Sequence, residues 1–188
     1  MSKRRQATIR IPREWSEFVS ALRSAKVKFM VVGSHALAAH GRPRYSGEID
    51  IFIAQNPQNV AKVCKALTAF GFGEYADPAW LSVPGNGLHL GVVPMRIDVL
   101  TGISGVSFDE AWKTRTRAIL NEHPVNIIGR NAYIKNKKAA GRPKDLTDIA
   151  LLEEVSVPKR RRGTRRILAE YESGSFMQGS KKRLRRRR

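Results

Sequence analysis

Residues 31–53 read VVGSHALAAHGRPRYSGEIDIFI, and the fold is decided within this stretch. Its last six residues, Glu48-Ile49-Asp50-Ile51-Phe52-Ile53, are a strand pattern. Side chains alternate with period two, so Ile49, Ile51 and Ile53 share one face and Glu48 and Asp50 the other. Two carboxylates on one face of an otherwise apolar strand can hold a divalent cation. The first four residues, Val31-Val32-Gly33-Ser34, close an apolar run with a Gly-Ser turn, after which Ser34 to His40 reads as a short helix. Unpaired backbone N–H groups at a helix start suit an anion, Gly33 allows close approach of the chain to it, and Ser34 adds a hydroxyl donor. Pro43 disfavours helix at the residue before it, so Gly41 to Arg44 is loop.

Working outward, a third acid recurs in the same setting. Arg96-Ile97-Asp98-Val99-Leu100 is a second short β-branched apolar run with a carboxylate inside it. Each feature alone has a bland explanation: a Gly-Ser pair is often a simple turn, and a lone acid in a strand is usually an end residue facing water. Three strand-borne acids with a Gly-Ser turn 14 residues before the first are harder to explain that way.

The segment 31–53 resembles the signature of the DNA polymerase β-like nucleotidyltransferase superfamily, in which a Gly-Ser or Gly-Gly turn opens a helix and an acid-x-acid strand follows. It is most similar to the minimal-nucleotidyltransferase and AbiEii-type toxin branches. Residues 137–153, KKAAGRPKDLTDIALLE, are similar to the C-terminal block of that branch, and the matches together cover roughly residues 28 to 154. The resemblance implies an α/β (α+β) fold, a small mixed β-sheet flanked by helices, with a C-terminal helical segment. It implies that Glu48, Asp50 and Asp98 are catalytic and bind Mg2+ or Mn2+, with Asp98 also helping to deprotonate the acceptor. It further implies that Gly33, Ser34, Arg42, Arg44, Lys138, Arg142, Lys144 and Asp145 surround the phosphates of a nucleoside triphosphate. Where the family pattern has aspartate first, this chain has Glu48. Magnesium demands near-ideal octahedral geometry at about 2.0 to 2.1 Å, so the extra methylene calls for local adjustment or a more tolerant ion such as manganese.

The weaker candidates have plain readings too. Lys138 sits in a cluster with Lys135 and Lys137 that reads equally as a solvated face, and Asp145 reads equally as a helix cap. His35 and His40 read as core-edge or surface residues, His89 and His123 lack metal-ligand spacing, and Trp15, Trp80 and Trp112 read as core. Cys64, the only cysteine, reads as a buried thiol; one cysteine allows neither a disulfide framework nor a cysteine-rich zinc site within the chain.

Composition bounds the partners. The 188 residues carry a formal net charge of +19, unevenly spread. Residues 1–155 hold 22 Lys and Arg against 14 acids, and residues 156–188 hold 13 against 2. The expectation is a nucleotidyltransferase-like domain over 1–155 and a basic, disordered tail over 156–188 with a short helix near 165–171. Such charge attracts a polyanion, and RNA, tRNA among the choices, is the expected acceptor. An acidic antitoxin partner would suit the same charge. A catalytically weak RNA-binding relative and a protein-nucleotidylating enzyme are the alternatives. An enzyme for cationic antibiotics would need an acidic pocket, which this composition disfavours. Lys3-Arg4-Arg5 leads into no apolar segment and no stretch approaches the roughly 18 apolar residues of a membrane span, so a cytoplasmic protein is expected.

The remaining pattern alternates helices and strands. Arg13 to Ala25 shows the i, i+3, i+4, i+7 spacing of an amphipathic helix, Val27 to Val32 a strand, and Asn56-Pro57 opens a helix through Phe70. Strands are expected near Trp80 to Val83, Leu88 to Val92, Arg117 to Leu120 and Val125 to Ile128, and helices over Arg130 to Ala139 and Lys144 to Val155.

Overall fold

The computed structural model describes residues 6–156; the expectations for a tail beyond them lie outside the described residues. The element order is β1 (Ala7–Ile9), α1 (Arg13–Ser24), β2 (Phe29–Val31), α2 (Gly33–Ala39), β3 (Glu48–Ile53), α3 (Pro57–Ala69), a 3-10 turn (Gly73–Tyr75), α4 (Pro78–Leu81), β4 (Gly87–Leu90), β5 (Arg96–Leu100), α5 (Phe108–Lys113), β6 (Thr116–Leu120), β7 (His123–Ile127), α6 (Arg130–Ala140) and α7 (Pro143–Ser156). The strands form one mixed sheet in the order β1-β6-β7-β2-β3-β5-β4. The expected mixed sheet flanked by helices is therefore present.

The strand that carries two acids is central. β3 pairs antiparallel with β2 and parallel with β5. Its isoleucines Ile49, Ile51 and Ile53 are fully buried and meet the apolar stripe of α1, which buries Trp15, Phe18, Val19 and Leu22, and of α3, which buries Val60, Val63 and Leu67. Each such side chain contributes roughly 2 kcal/mol of transfer free energy, so the face opposite the acids holds β3 in place. α3 starts where the sequence signals it: Asn56 accepts a hydrogen bond from the Asn59 backbone N–H at 3.0 Å, and Pro57 takes the first helical position.

Two expectations near β4 are corrected. Trp80 to Val83 is not a strand; Pro78–Leu81 is a helical turn, because Asp77 caps it by accepting from the Ala79 N–H at 2.8 Å and Pro78 is preorganised for the first helical position. Trp80 consequently does not join the core; it is half exposed, with its indole N–H donating to the Gly87 carbonyl. Trp15 is buried and Trp112 is partly buried against the core, as is Cys64, a less enclosed thiol than expected. β1 and α5 are additional to the elements anticipated. No helix among the described residues is long and apolar enough to cross a membrane.

Candidate active site

Parallel pairing of β3 with β5 builds the site. The register sets Asp50 beside Asp98 and Glu48 beside Arg96, and the parity of both strands turns these four side chains to one face. Oxygens of Glu48, Asp50 and Asp98 all lie within 4.8 Å of one another. Three carboxylates so close repel strongly, and cations offset the repulsion. The Arg96 guanidinium donates from Nε to Asp98 Oδ1 at 2.8 Å and from Nη2 to Asp98 Oδ2 at 3.0 Å, and Nη2 also donates to Glu48 Oε2. From β4, which lies antiparallel to β5 with His89 opposite Asp98, His89 Nδ1 donates to Asp98 Oδ1 at 2.8 Å.

Asp50 differs from its neighbours. Its carboxylate accepts no hydrogen bond among the described residues, and burial, followed by the charges of Glu48 and Asp98, pushes its pKa up to about 6, with Lys137 and Lys144 opposing. A carboxylate held without donors beside two others invites a cation. The donor set fits a hard divalent ion, Mg2+ or Mn2+, since all three ligands are carboxylate oxygens.

Gly33 places the turn against these acids. It has φ +59, a left-handed conformation that L side chains rarely adopt, and its bare Cα faces the Asp50 carboxylate. Ser34 is buried, its hydroxyl 3.3 Å from His35 Nδ1. The His35 ring packs edge-on to Trp15, and burial, then the nearby Arg44 charge, lowers its pKa to about 4. It is a neutral core-edge residue.

The opposite wall comes from α6, α7 and the loop before β3. Lys137 and Asp145 are both buried, and Lys137 Nζ donates to Asp145 Oδ1 at 2.7 Å and lies 3.3 Å from Asp148 Oδ2. Arg44 forks onto Asp148 at 2.8 and 3.1 Å, the Tyr133 hydroxyl donates to Asp148 at 3.0 Å, and Arg142 Nε donates to Asp145 at 2.7 Å. Burial works against ionisation of Asp145, yet the bonds from Arg142 and Lys137 win and hold its pKa at about 2. Asp148 is likewise lowered, its burial outweighed by Arg44.

Between these walls lies a cavity of about 990 Å³ lined by Gly33, Ser34, Arg44, Glu48, Asp50, Asp98, Arg142 and Lys144 among the expected residues. Three expected residues stand elsewhere. Arg42 donates to the Leu151 carbonyl at 2.8 Å and pairs with Glu154, so it ties the loop to α7. Asp145 is fully buried and pairs with Lys137 and Arg142. Lys138 is exposed, on a separate shallow depression with Asn131, Ile134 and Lys135, while Lys137, one helical step of about 100° away, takes the cavity position. Arg96, His89, Lys137, Tyr133 and Asp148 were not anticipated. Arg96 had a signal, since it precedes Asp98 by two residues on the same strand face.

No family model matches the chain, and no curated protein matches it. Among solved structures, it resembles a protein of Thermotoga maritima described provisionally as a nucleotidyltransferase, with a TM-score of 0.52 and 14% identity over 73% of this chain and 89% of the other. It is also similar to the antibiotic-resistance factor ANT(2'')-Ia, with a TM-score of 0.49 and 14% identity over 87% of this chain and 96% of the other. The likeness to the Thermotoga protein is one of fold, a mixed sheet flanked by helices.

Proposed function

We propose that residues 1–155 form a metal-dependent nucleotidyltransferase domain that transfers a nucleoside monophosphate from a nucleoside triphosphate to a hydroxyl of RNA, within the minimal-nucleotidyltransferase and AbiEii-like part of the superfamily. The observation that carries this reading is the trio Glu48, Asp50 and Asp98, gathered from two parallel strands at the floor of a cavity whose walls are cationic. A divalent ion bound by the trio would supply Lewis-acid charge for the reacting phosphate and lower the pKa of the attacking hydroxyl.

The chain's own residues supply the rest. Lys144, on the cavity wall, and Arg142, largely exposed there, offer positive charge to a triphosphate, and Lys137 adds its field from below. In the transfer, the acceptor oxygen bonds to the α-phosphorus, the bond from that phosphorus to the bridging oxygen breaks, and pyrophosphate leaves. The acceptor proton passes to Asp98, which His89 orients from β4.

The acceptor reading rests on charge. Glu48, Asp50 and Asp98 are the acids of the described cavity lining, all committed to the metal trio, so a polycationic acceptor meets no carboxylate of its own there. A phosphate-bearing acceptor instead meets Arg44, Arg142 and Lys144. The basic residues beyond 156 extend that attraction, whether to tRNA, another RNA or an acidic antitoxin protein. Incubation with each of four α-labelled nucleoside triphosphates, Mg2+ or Mn2+, and total RNA tests the reading. Label in RNA supports it, label in protein points to protein nucleotidylation, and no label in either contradicts it.

A further inference from the structure

We propose that Arg96 is a resident cation of the acid cluster: it positions Glu48 and Asp98 in the metal-free protein and competes with a divalent ion for their oxygens. The inference rests on the metal-site reading of Glu48, Asp50 and Asp98 and adds a residue that the reading does not require.

Four observations converge on it. Arg96 faces Glu48 directly across the β3–β5 ladder and shares a strand face with Asp98, so the backbone aims its side chain at both. A single guanidinium nitrogen, Nη2, donates to Glu48 Oε2 and to Asp98 Oδ2, bridging two of the three acids. Nε occupies the other Asp98 oxygen, which His89 also engages, so both oxygens of Asp98 are already in use as acceptors. The Arg96 side chain lines the cavity and is about one-third exposed, 31%, so it can withdraw toward solvent without leaving a buried charge behind.

The chemistry follows from these contacts. Three carboxylates within 4.8 Å would spread apart without a counter-charge, and Arg96 supplies one with the planar fork that matches carboxylate geometry. A hard divalent cation seeks the same lone pairs and is repelled by the guanidinium beside them. Cation entry therefore requires Arg96 to loosen its hold on Glu48 and Asp98, while the Asp50 carboxylate, which accepts no hydrogen bond among the described residues, stands open to the ion. Glu48 suits this exchange better than a shorter acid, because its extra methylene spans the distance to Arg96 and leaves a longer side chain to swing back. Arg96 is a positioning residue whose charge sets how much metal the site demands.

The test is binding of Mn2+ alone, followed by the paramagnetic signal of the free ion, to the full-length chain and its R96Q and R96K variants, with no nucleotide present. Removing the competing charge in R96Q should tighten Mn2+ binding about tenfold or more. R96K keeps a charge but its compact ammonium cannot fork onto both acids, so a smaller gain of about threefold is expected, and this variant carries the test alone if R96Q does not fold. Equal or weaker Mn2+ binding by the variants, with the wild type binding, overturns the role of Arg96 and leaves the metal site standing. Absence of Mn2+ binding in every form, with or without nucleoside triphosphate, removes the metal site and the proposal together.

Discussion

A Cβ placed on Gly33 would lie 2.8 Å from Cγ of Asp50 and closer still to its Oδ2, so the turn that opens α2 and the middle acid of β3 occupy adjoining space that only glycine leaves free. Real Cβ atoms do not approach carboxylate carbons so closely, and the +59 φ of Gly33 adds its own strain to any side chain. Gly33→Ala should therefore displace Asp50 from the acid cluster. The fold should lose about 1–2 kcal/mol, read by urea denaturation, since left-handed strain and a local clash are of that order. Nucleotidyl transfer should fall by far more than the stability change accounts for; equal activity in a folded variant would show that the turn and the acid are not coupled.

The raised pKa of Asp50 has a defined sign. A carboxyl whose folded pKa, about 6, lies above its ordinary value near 3.8 favours the folded state only while protonated. Its contribution is fully present below pH 3.8 and is lost as pH rises through 6. Asp50→Asn should thus stabilise the metal-free protein at pH 7.5 by about 1–2 kcal/mol, after allowance for screening on the cavity side, and give no gain below pH 4. Divalent-ion affinity of the wild type should weaken as pH falls through 6, by about tenfold per unit below it. Thermal melts across pH 4–8 with a chelator present check the first claim, and Mn2+ titrations at the same pH values the second.

The buried ion network predicts the reverse for Asp148. This carboxylate is 1% exposed and receives Arg44, Tyr133 and, at 3.3 Å, Lys137. Asp148→Asn leaves two cations with one compensating charge fewer, and removing one partner of a buried pair costs about 3–5 kcal/mol. Tyr133→Phe removes one hydrogen bond to the charged Asp148 and should cost about 1.5–3 kcal/mol. Chemical denaturation of both variants separates the two values; a neutral Asp148→Asn would mean that α6 and α7 do not depend on this network.

How much of this was legible depends on whether the signal was local. Ile49, Ile51 and Ile53 against Glu48 and Asp50 declare a strand and its faces through period two, so the acid pair could be read directly, and Asp98 by the same rule. That the two strands lie side by side in parallel, with Asp50 beside Asp98, is a long-range fact of topology that the sequence does not carry; family resemblance implied only that the three acids share a site. His89 was unreadable for the same reason: its role depends on the β4–β5 register that sets it against Asp98. The choice of Lys138 over Lys137 failed on helical phase, since a 100° step decides which lysine meets the cavity and the neighbouring residues carry too weak an apolar stripe to define it. Trp80 failed differently. The Asp77-Pro78 start signal was present and outweighed the apolar run that suggested a strand.

The basic residues beyond 156 yield an electrostatic prediction that needs no structure. Removing residues 159–188 deletes 13 Lys and Arg and 2 Glu. RNA affinity should drop and its dependence on salt should flatten, because log affinity falls by about 0.7 per neutralised single-strand phosphate for each decade of salt. Filter binding at several salt concentrations reads both. An unchanged slope would place the RNA contacts in residues 1–158.

Transfer of α-labelled nucleoside monophosphate by Asp98→Asn and Asp50→Asn, beside the wild type, decides whether Asp98 and Asp50 make this cavity a site of metal-dependent nucleotidyl transfer. Asparagine keeps the shape of each side chain and removes the charge that would hold the ion. Both variants should remain folded, as circular dichroism will show, and lose transfer by about two orders of magnitude or more, the scale expected when one charge in a metal-assisted reaction is removed. Transfer by either folded variant at the wild-type rate would contradict the assignment of the site.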